Sequence, residues 1–423
     1  MAGGRSSRRT NLVSPKGAPK RRTPAEWGLR CALAVTVAFV GGVVIAQSLA
    51  QVTLANGDAA TAYGLAPWDG RMSAALADKL TLSGDIGARA ASLARTALRH
   101  DPTAVTAVTT LATSALVAGQ PKRSDRLFAY AERLSRRDLA TQLWAIQNAV
   151  ARENIPDALR HYDIALRTTA KAPDLLFPIL SQAITDAKIR IALVATLAQQ
   201  PPWAASFINY IATAGSEPQA TAQLFAALRS ARVPIAPTAR SQLVNTLVGR
   251  NSYDTAWAVY AAGHPRANHR RSRDPDFSAD IATPAAFDWT PIGGPGVTTS
   301  IQRSGSGGLF DFATGPNVAG VLLQQLQLLP PGEYRLDGRS AGLDQPAASR
   351  PHWTLRCQVD SREFGRVVLA NSAEQRGNFA GTFVVPSGCP AQLLALVAQP
   401  NDTISGVSGQ IIRVALQPTG APQ

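Results

Sequence analysis

Cysteine, histidine, aromatic residues and acidic residues are all scarce in this chain of 423 residues. Three cysteines are too few for a disulfide-built scaffold, a zinc ribbon or a ferredoxin-type cluster. The five histidines run from His100 to His352 without HExxH or HxH spacing, so neither a metal nor a cofactor is expected. Aromatics at 6% leave the core to Ala, Leu, Val and Ile, which favours close-packed helices of small residues. Charged residues at 17% beside 45% hydrophobic residues exclude both an acidic disordered chain and a polytopic membrane protein. The length suits roughly three domains at ~150 residues each.

The net charge of +14 could suggest nucleic acid, but it is unevenly placed. Residues 1–30 hold eight basic side chains against Glu26 alone, half of the net charge. Rich also in Gly, Ser and Pro, they are expected as a disordered basic arm on the cytoplasmic side. From Cys31 to Ala50 the chain reads CALAVTVAFVGGVVIAQSLA, without charge. At ~1.5 Å per residue this spans ~30 Å, a hydrocarbon core, so residues 31–50 are expected to be one transmembrane helix. Basic residues stay inside, which sends everything after Ala50 across the membrane. A cleaved signal peptide is the rival, because Ser48-Leu49-Ala50 passes as a cleavage site. Basic residues beside a membrane already have a partner in anionic lipid, so no nucleic-acid partner is expected.

Residues 55–263 show apolar residues at three-four spacing in short bursts. Leu93, Ala97 and Leu98 precede His100-Asp101-Pro102; Leu111, Ala115 and Leu116 precede Gly119-Gln120-Pro121; Leu127, Ala131 and Leu134 precede Ser135-Arg136-Arg137-Asp138. The breaks are too short for strands, so helical hairpins are expected. Ala115, Gln120 and Ala131 recur 34 positions later as Ala149, Asn154 and Ala165. Over residues 84–170 the chain resembles the tetratricopeptide-repeat family, with degenerate repeats from Pro173 to about Ala262. The resemblance implies a solenoid that binds protein partners and requires no catalysis. It transfers no groove residue. Arg133, Arg136 and Arg137 are either a dock for acidic peptide or a solvated helix end.

Residues 264–280, beginning HPRANHRRSRDPD, read as a hydrophilic linker. Period-two runs follow over residues 281–418: Phe287-Asp288-Trp289, Gly308 to Phe312, Gln324 to Leu328, Tyr334 to Leu336, Trp353 to Val359, Phe379 to Val385, Leu393 to Val397 and Ile411 to Leu416. Turns such as Pro330-Pro331-Gly332 and Pro386-Ser387-Gly388 separate them, which predicts an antiparallel sandwich, a jelly roll. Cys357 ends the one-faced set Trp353, Leu355, Cys357, and Cys389 opens the strand continuing into Leu393. Joined, they would suit an oxidising periplasm. The alternative is two unrelated buried thiols.

On its strand rhythm, the phrase LPPGEYRL (Leu329 to Leu336) and the cysteine pair, this segment resembles the non-catalytic carbohydrate-binding jelly rolls. The resemblance implies a polysaccharide partner. Sugar binding needs exposed aromatic faces beside hydrogen-bonding side chains, for which Trp289, Trp353, Asp311 and Asp337 are candidates. The shared faces with Leu355, Cys357 and Phe287 argue that both tryptophans are core instead.

No catalytic motif survives its context. Gly338-Arg339-Ser340-Ala341-Gly342 matches G-x-S-x-G, but LDQPAASRP cannot supply the helix that a nucleophile elbow requires. Gly293-Gly294-Pro295-Gly296 lacks the Lys-Ser/Thr of a phosphate loop, and Asp274 with Asp276 lies in the linker. A glycosidase would have to draw its carboxylates from Glu333, Asp337, Asp344 or Glu363. The expectation is a non-catalytic, single-pass protein of a Gram-negative inner membrane, with its bulk in the periplasm. Its solenoid would hold partner proteins, its sandwich would bind glycan or another envelope component, and surface polysaccharide assembly or export is a possible setting. The alternatives are a purely protein-binding adaptor and the enzyme.

Overall fold

A computed structural model describes residues 24–304, 307–401 and 406–420, so most of the expected basic arm lies outside the described residues. The chain divides into two compact units, Met1–Thr141 and Gln142–Gln423.

The first unit opens with α1 (Pro24–Ala55), seven residues earlier than the span expected from Cys31. Its stretch Trp27–Ala55, which contains an 18-residue window of mean hydropathy 2.2, is long and apolar enough to cross a membrane. Its C-terminal turns pack on their own unit: Ala50 is fully buried with Ala62, Ala66 and Met72, and Leu54 packs beside them. These belong to α2 (Ala59–Leu65), the loop after it, and α3 (Gly70–Leu82). Then follow α4 (Ala88–His100), α5 (Val105–Val117) and α6 (Pro121–Leu134). The interior between α3, α4 and α5 is alanine (Ala74, Ala77, Ala94, Ala97, Ala107), as the scarcity of aromatics demands.

The division between the units falls within α7 (Leu139–Ala151). Beyond it come α8 (Ile155–Thr168), α9 (Ala172–Ala183), α10 (Ala187–Ala198), α11 (Ala204–Thr213), α12 (Pro218–Ser230), α13 (Pro237–Gly249) and α14 (Tyr253–Ala261). Local chemistry sets these limits. Proline occupies the first turn of α6, α8, α9, α12 and α13, where a missing N–H costs nothing. Asn154 and Asp186 cap α8 and α10 by accepting from the backbone N–H groups of Asp157 and Lys188. Several helices stop on a left-handed residue: Gly84, Gly119, Glu153 and Asn251 follow α3, α5, α7 and α13. The first helices of successive hairpins open at Gly70, Val105, Leu139, Ala172, Ala204 and Pro237, roughly a 33-residue rhythm. The rhythm runs on past Pro173, where the side-chain pattern fades.

Among the described residues ten strands follow: β1 (Thr290–Pro291), β2 (Val297–Ser304), β3 (Gly307–Thr314), β4 (Gly320–Gln327), β5 (Gly332–Ala341), β6 (His352–Cys357), β7 (Glu363–Val368), β8 (Asn378–Val385), β9 (Gln392–Ala398) and β10 (Val407–Pro418). They form two antiparallel sheets, β1-β4-β9-β6-β7 and β2-β3-β10-β5-β8. Strand alternation sends Phe310, Phe312, Tyr334, Leu336, Trp353, Leu355, Phe379 and Phe383 into one core. Cys357 and Cys389 form a disulfide, with Cα atoms 5.8 Å apart.

Two expectations change. Phe287-Asp288-Trp289 is no strand: Asp288 turns inward and accepts from the Ala285 N–H at 3.0 Å, while Trp289 enters the core and donates through Nε1 to the Asp274 carbonyl. Residues 264–280 are no free linker but a strap on the sandwich. Phe277 is fully buried in the sandwich core. Ser272 donates its N–H to the Leu416 carbonyl and accepts the Leu416 N–H on Oγ. The buried Gln325 amide accepts from the Arg273 N–H and donates to the Arg273 carbonyl. The strap's arginines mislead because Arg273 finds its counter-charge in Asp288, a partner that local composition cannot display.

Candidate functional site

A groove of about 350 Å³ lies between α12, α13 and α14 in the second unit. Its walls are shaped by what they lack. Ala222, Ala226, Ala258 and Ala262 stand where longer side chains would fill the space, with Phe225 and Val259 beside them. Its polar lining consists of Gln219, Gln223, Thr255, Arg229 and Arg240, without a carboxylate. Thr255 donates to Gln219 Oε1 at 3.0 Å, tying α14 to α12 across the groove. Neither Arg229 nor Arg240 has an ion-pair partner among the described residues. Sequence reading missed this groove, because alanines at helical spacing read equally well as close packing.

The sandwich separates the four sugar-binding candidates. Trp289 and Trp353 meet edge-to-face in the core, with ring centroids 5.7 Å apart, so neither is a stacking platform. Asp311 and Asp337 point outward from the second sheet, and Asp311 accepts from Gln410 Nε2 at 3.1 Å. The outward positions of that sheet carry no aromatic residue.

The first sheet offers a different surface. Because Trp353, Leu355 and Cys357 point inward, His352, Thr354 and Arg356 must point outward, a signal legible in HWTLRC. Thr354 is paired across the sheet with Ala395 on one side and Arg366 on the other, and Ala395 with Gln324. His352, Thr354 and Ala395 are nevertheless buried, and Gln324, Arg356 and Arg366 are the accessible side chains beside them. His352 Nδ1 lies 3.0 Å from Gln399 Nε2. Burial, reinforced by the Arg366 charge, holds the His352 imidazole below its ordinary pKa, so near neutral pH it is uncharged. Arg366 grips Glu363 with two hydrogen bonds, and this holds the carboxyl below the usual glutamate range.

The remaining candidates are dispersed. Glu333 and Asp337 lie four residues apart on β5, about 13 Å along the strand, beyond the ~5–5.5 Å of a retaining glycosidase pair. Glu363 belongs to the opposite sheet, and Asp344 accepts from Asn371 Nδ2 in a loop. Ser340 of the G-x-S-x-G match is buried within β5, its hydroxyl donating to the Gly377 carbonyl. A Cβ on Gly338 would lie 2.3 Å from the Phe379 ring, so packing accounts for the first glycine of that match. Asp274 holds the Ser278 and Ala279 N–H groups, and Asp276 pairs with Arg413 at 2.6 Å. Arg133 lies over the Tyr130 ring, with Arg136 and Arg137 exposed after the helix end. No group of three or more potential metal ligands assembles among the described residues.

No family model matches the chain, and no curated protein matches it by sequence. Among solved structures it is similar to the CBM22-1 xylan-binding domain of Xyn10C from Paenibacillus barcinonensis, at 12% identity over 35% of this chain and 94% of that one, with a TM-score of 0.25. It is also similar to TmCBM61, solved with β-1,4-galactotriose, at 14% identity over 30% of this chain and 86% of that one, TM-score 0.21. A third likeness is to the Glycosylation Associate Protein (Gap123) complex of Streptococcus agalactiae, at 12% identity over 29% of this chain and 39% of that one, TM-score 0.21. At these scores the likeness assigns no ligand.

Proposed function

We propose that this chain is a non-catalytic binding protein, held at a membrane by α1, whose tetratricopeptide-like helical region docks an acidic peptide segment of a partner protein. The groove between α12, α13 and α14 carries the reading. It joins an apolar floor for peptide side chains to two arginines with no ion-pair partner among the described residues, and no carboxylate lines it. An uncleaved α1 is favoured by its packing: cleavage after Ala50 would cut a continuous helix beside a buried residue, and the Gln47 amide also donates to Asp69. A cytoplasmic N-terminus with the bulk in a periplasm follows from the charge of residues 1–30 and suits the disulfide.

A second reading, glycan binding by the sandwich, is favoured by Gln324 and Arg366, accessible side chains that stand in cross-strand register on the outward face of the first sheet with Ala395 and Thr354 buried between them. A role beside surface polysaccharide assembly or export would join the two.

The groove reading is tested by fluorescence anisotropy on the full-length protein in detergent. The probes are labelled eight-residue peptides of matched hydrophobicity, one acidic and one basic. The acidic peptide should bind saturably, and Arg229→Glu should weaken it about tenfold or more, since reversing a contacting charge exceeds the ~1.4 kcal/mol of one decade. Equal binding of the two peptides, or an unaffected variant, would overturn the reading.

A further inference from the structure

The outward face of the second sheet carries a pattern that the strip around His352 does not share. Beyond Lys188 the chain has no lysine, so its permanently charged basic residues there are all arginine. Between residues 264 and 420 several of these arginines are neutralised: Arg273 by Asp288, Arg350 by Glu374, Arg362 by Asp360 and Arg366 by Glu363. Arg266, Arg271, Arg335 and Arg339 have no ion-pair partner among the described residues. All four gather on one side of the sandwich. Arg266 and Arg271 line a cleft of about 240 Å³ with Arg413 and Gln417. Gln417 is paired across the sheet with Arg335, and Arg413 with Arg339. Asp337 stands between Arg335 and Arg339 on the same outward face, and Asp276 neutralises Arg413.

We infer that this face binds an acidic polysaccharide, one with carboxylates separated by hydroxyl groups, as in a polyuronate. The inference rests on reading the sandwich as the glycan-binding part, and it adds the ligand's chemical class and a location apart from the His352 strip. Arginine's planar fork accepts a carboxylate through two parallel hydrogen bonds, which lysine cannot do. Arg335, Asp337 and Arg339 recur at about 6.8 Å along β5, alternating donor forks with an acceptor. That alternation suits a chain bearing carboxylates and hydroxyls by turns. Around the arginines lie Gln410, Ser408, Asn378 and Thr382, side chains that exchange hydrogen bonds with hydroxyls. The face lacks aromatic residues on which nucleic-acid bases would stack, and it has no lysines of the kind that crowd against anionic lipid.

The test is calorimetric titration of the full-length protein in detergent with oligogalacturonate and with its methyl ester, the same sugar chain without charge. The acidic oligomer should bind, and the ester should bind at least tenfold more weakly. The variant R335Q/R339Q should lose the acidic oligomer by a similar factor while its thermal unfolding stays unchanged, because both side chains are exposed. R271Q, in the strap, should weaken binding separately. Equal binding of acid and ester would overturn the acidic assignment while leaving the glycan reading intact. Binding of neither would sink both. Binding of phosphatidylglycerol vesicles without the acidic oligomer, measured on protein held in neutral nanodiscs, would make the face a lipid contact and overturn the inference.

Discussion

Asp288→Ala should destabilise the second unit by about 3–5 kcal/mol, the cost of removing one partner from a buried ion pair. Asp288 is only 2% exposed and spends both oxygens: Oδ1 accepts from the Tyr260 hydroxyl at 2.6 Å and forms an ion pair with Arg273 at 3.2 Å, and Oδ2 accepts from the Ala285 N–H at 3.0 Å. The Arg273 guanidinium also lies over the Tyr260 ring, 4.9 Å from its centroid. Burial first, and the Asp288 charge second, push the Tyr260 hydroxyl above its ordinary range, so it stays protonated and donates throughout the physiological range. Without the carboxylate, a guanidinium, a phenol and a backbone N–H lose their acceptor together. Three segments depend on it: α14 supplies Tyr260, the strap supplies Arg273, and the turn before β1 supplies Asp288. Asp288→Asn keeps an acceptor for Tyr260 while removing the charge, and should cost less. Urea unfolding followed by tryptophan fluorescence measures both. A loss below about 1 kcal/mol for the alanine variant, the scale of a surface pair, would show that the cluster does not hold these segments together.

Loss of the disulfide has the second-largest expected effect. Cys357 and Cys389 are 32 residues apart, and in the chain-entropy model closing such a loop stabilises by roughly 3–4 kcal/mol. The bridge lies at the end of β6 and just before β9, neighbouring strands whose register pairs Cys357 with Gln392. It closes a loop that contains β7 and β8 and so crosses between the sheets. A double Cys357→Ala, Cys389→Ala variant should unfold on the order of 10 °C lower. Reductant should produce a similar drop in the parent and none in the variant. A parent melting curve indifferent to reductant would contradict this.

What the sequence displays follows from the range of the forces involved. The hairpins are legible because capping residues and first-turn prolines act locally, as at Gly119-Gln120-Pro121 and Asn154-Ile155-Pro156. Core strands are legible because alternation is local too, as in Phe310 and Phe312 around Asp311. The strands that escaped notice, β1, β2 and β7, lie at sheet edges, where one neighbour is missing and the apolar signal is weak. The strap was misread because Phe277 is a single apolar residue in a polar stretch, and its burial depends on a sheet formed by later residues. The candidate sites are harder still. HWTLRC discloses that His352 and Thr354 share a face, but not that Gln324 joins them from a strand near thirty residues earlier in the chain. The groove needs alanines of α12 and α14 to face each other across α13, and spacing within one helix cannot state that.

The most direct test of the central claim is hydrogen exchange on the full-length protein, with and without saturating acidic peptide. Slower exchange confined to α12, α14 and the intervening segment through α13 is the expected result, because bound peptide would bridge those helices at Arg229, Arg240 and Thr255. Protection confined to other helices, or none while the peptide is bound, would contradict the assignment of the groove as the docking site.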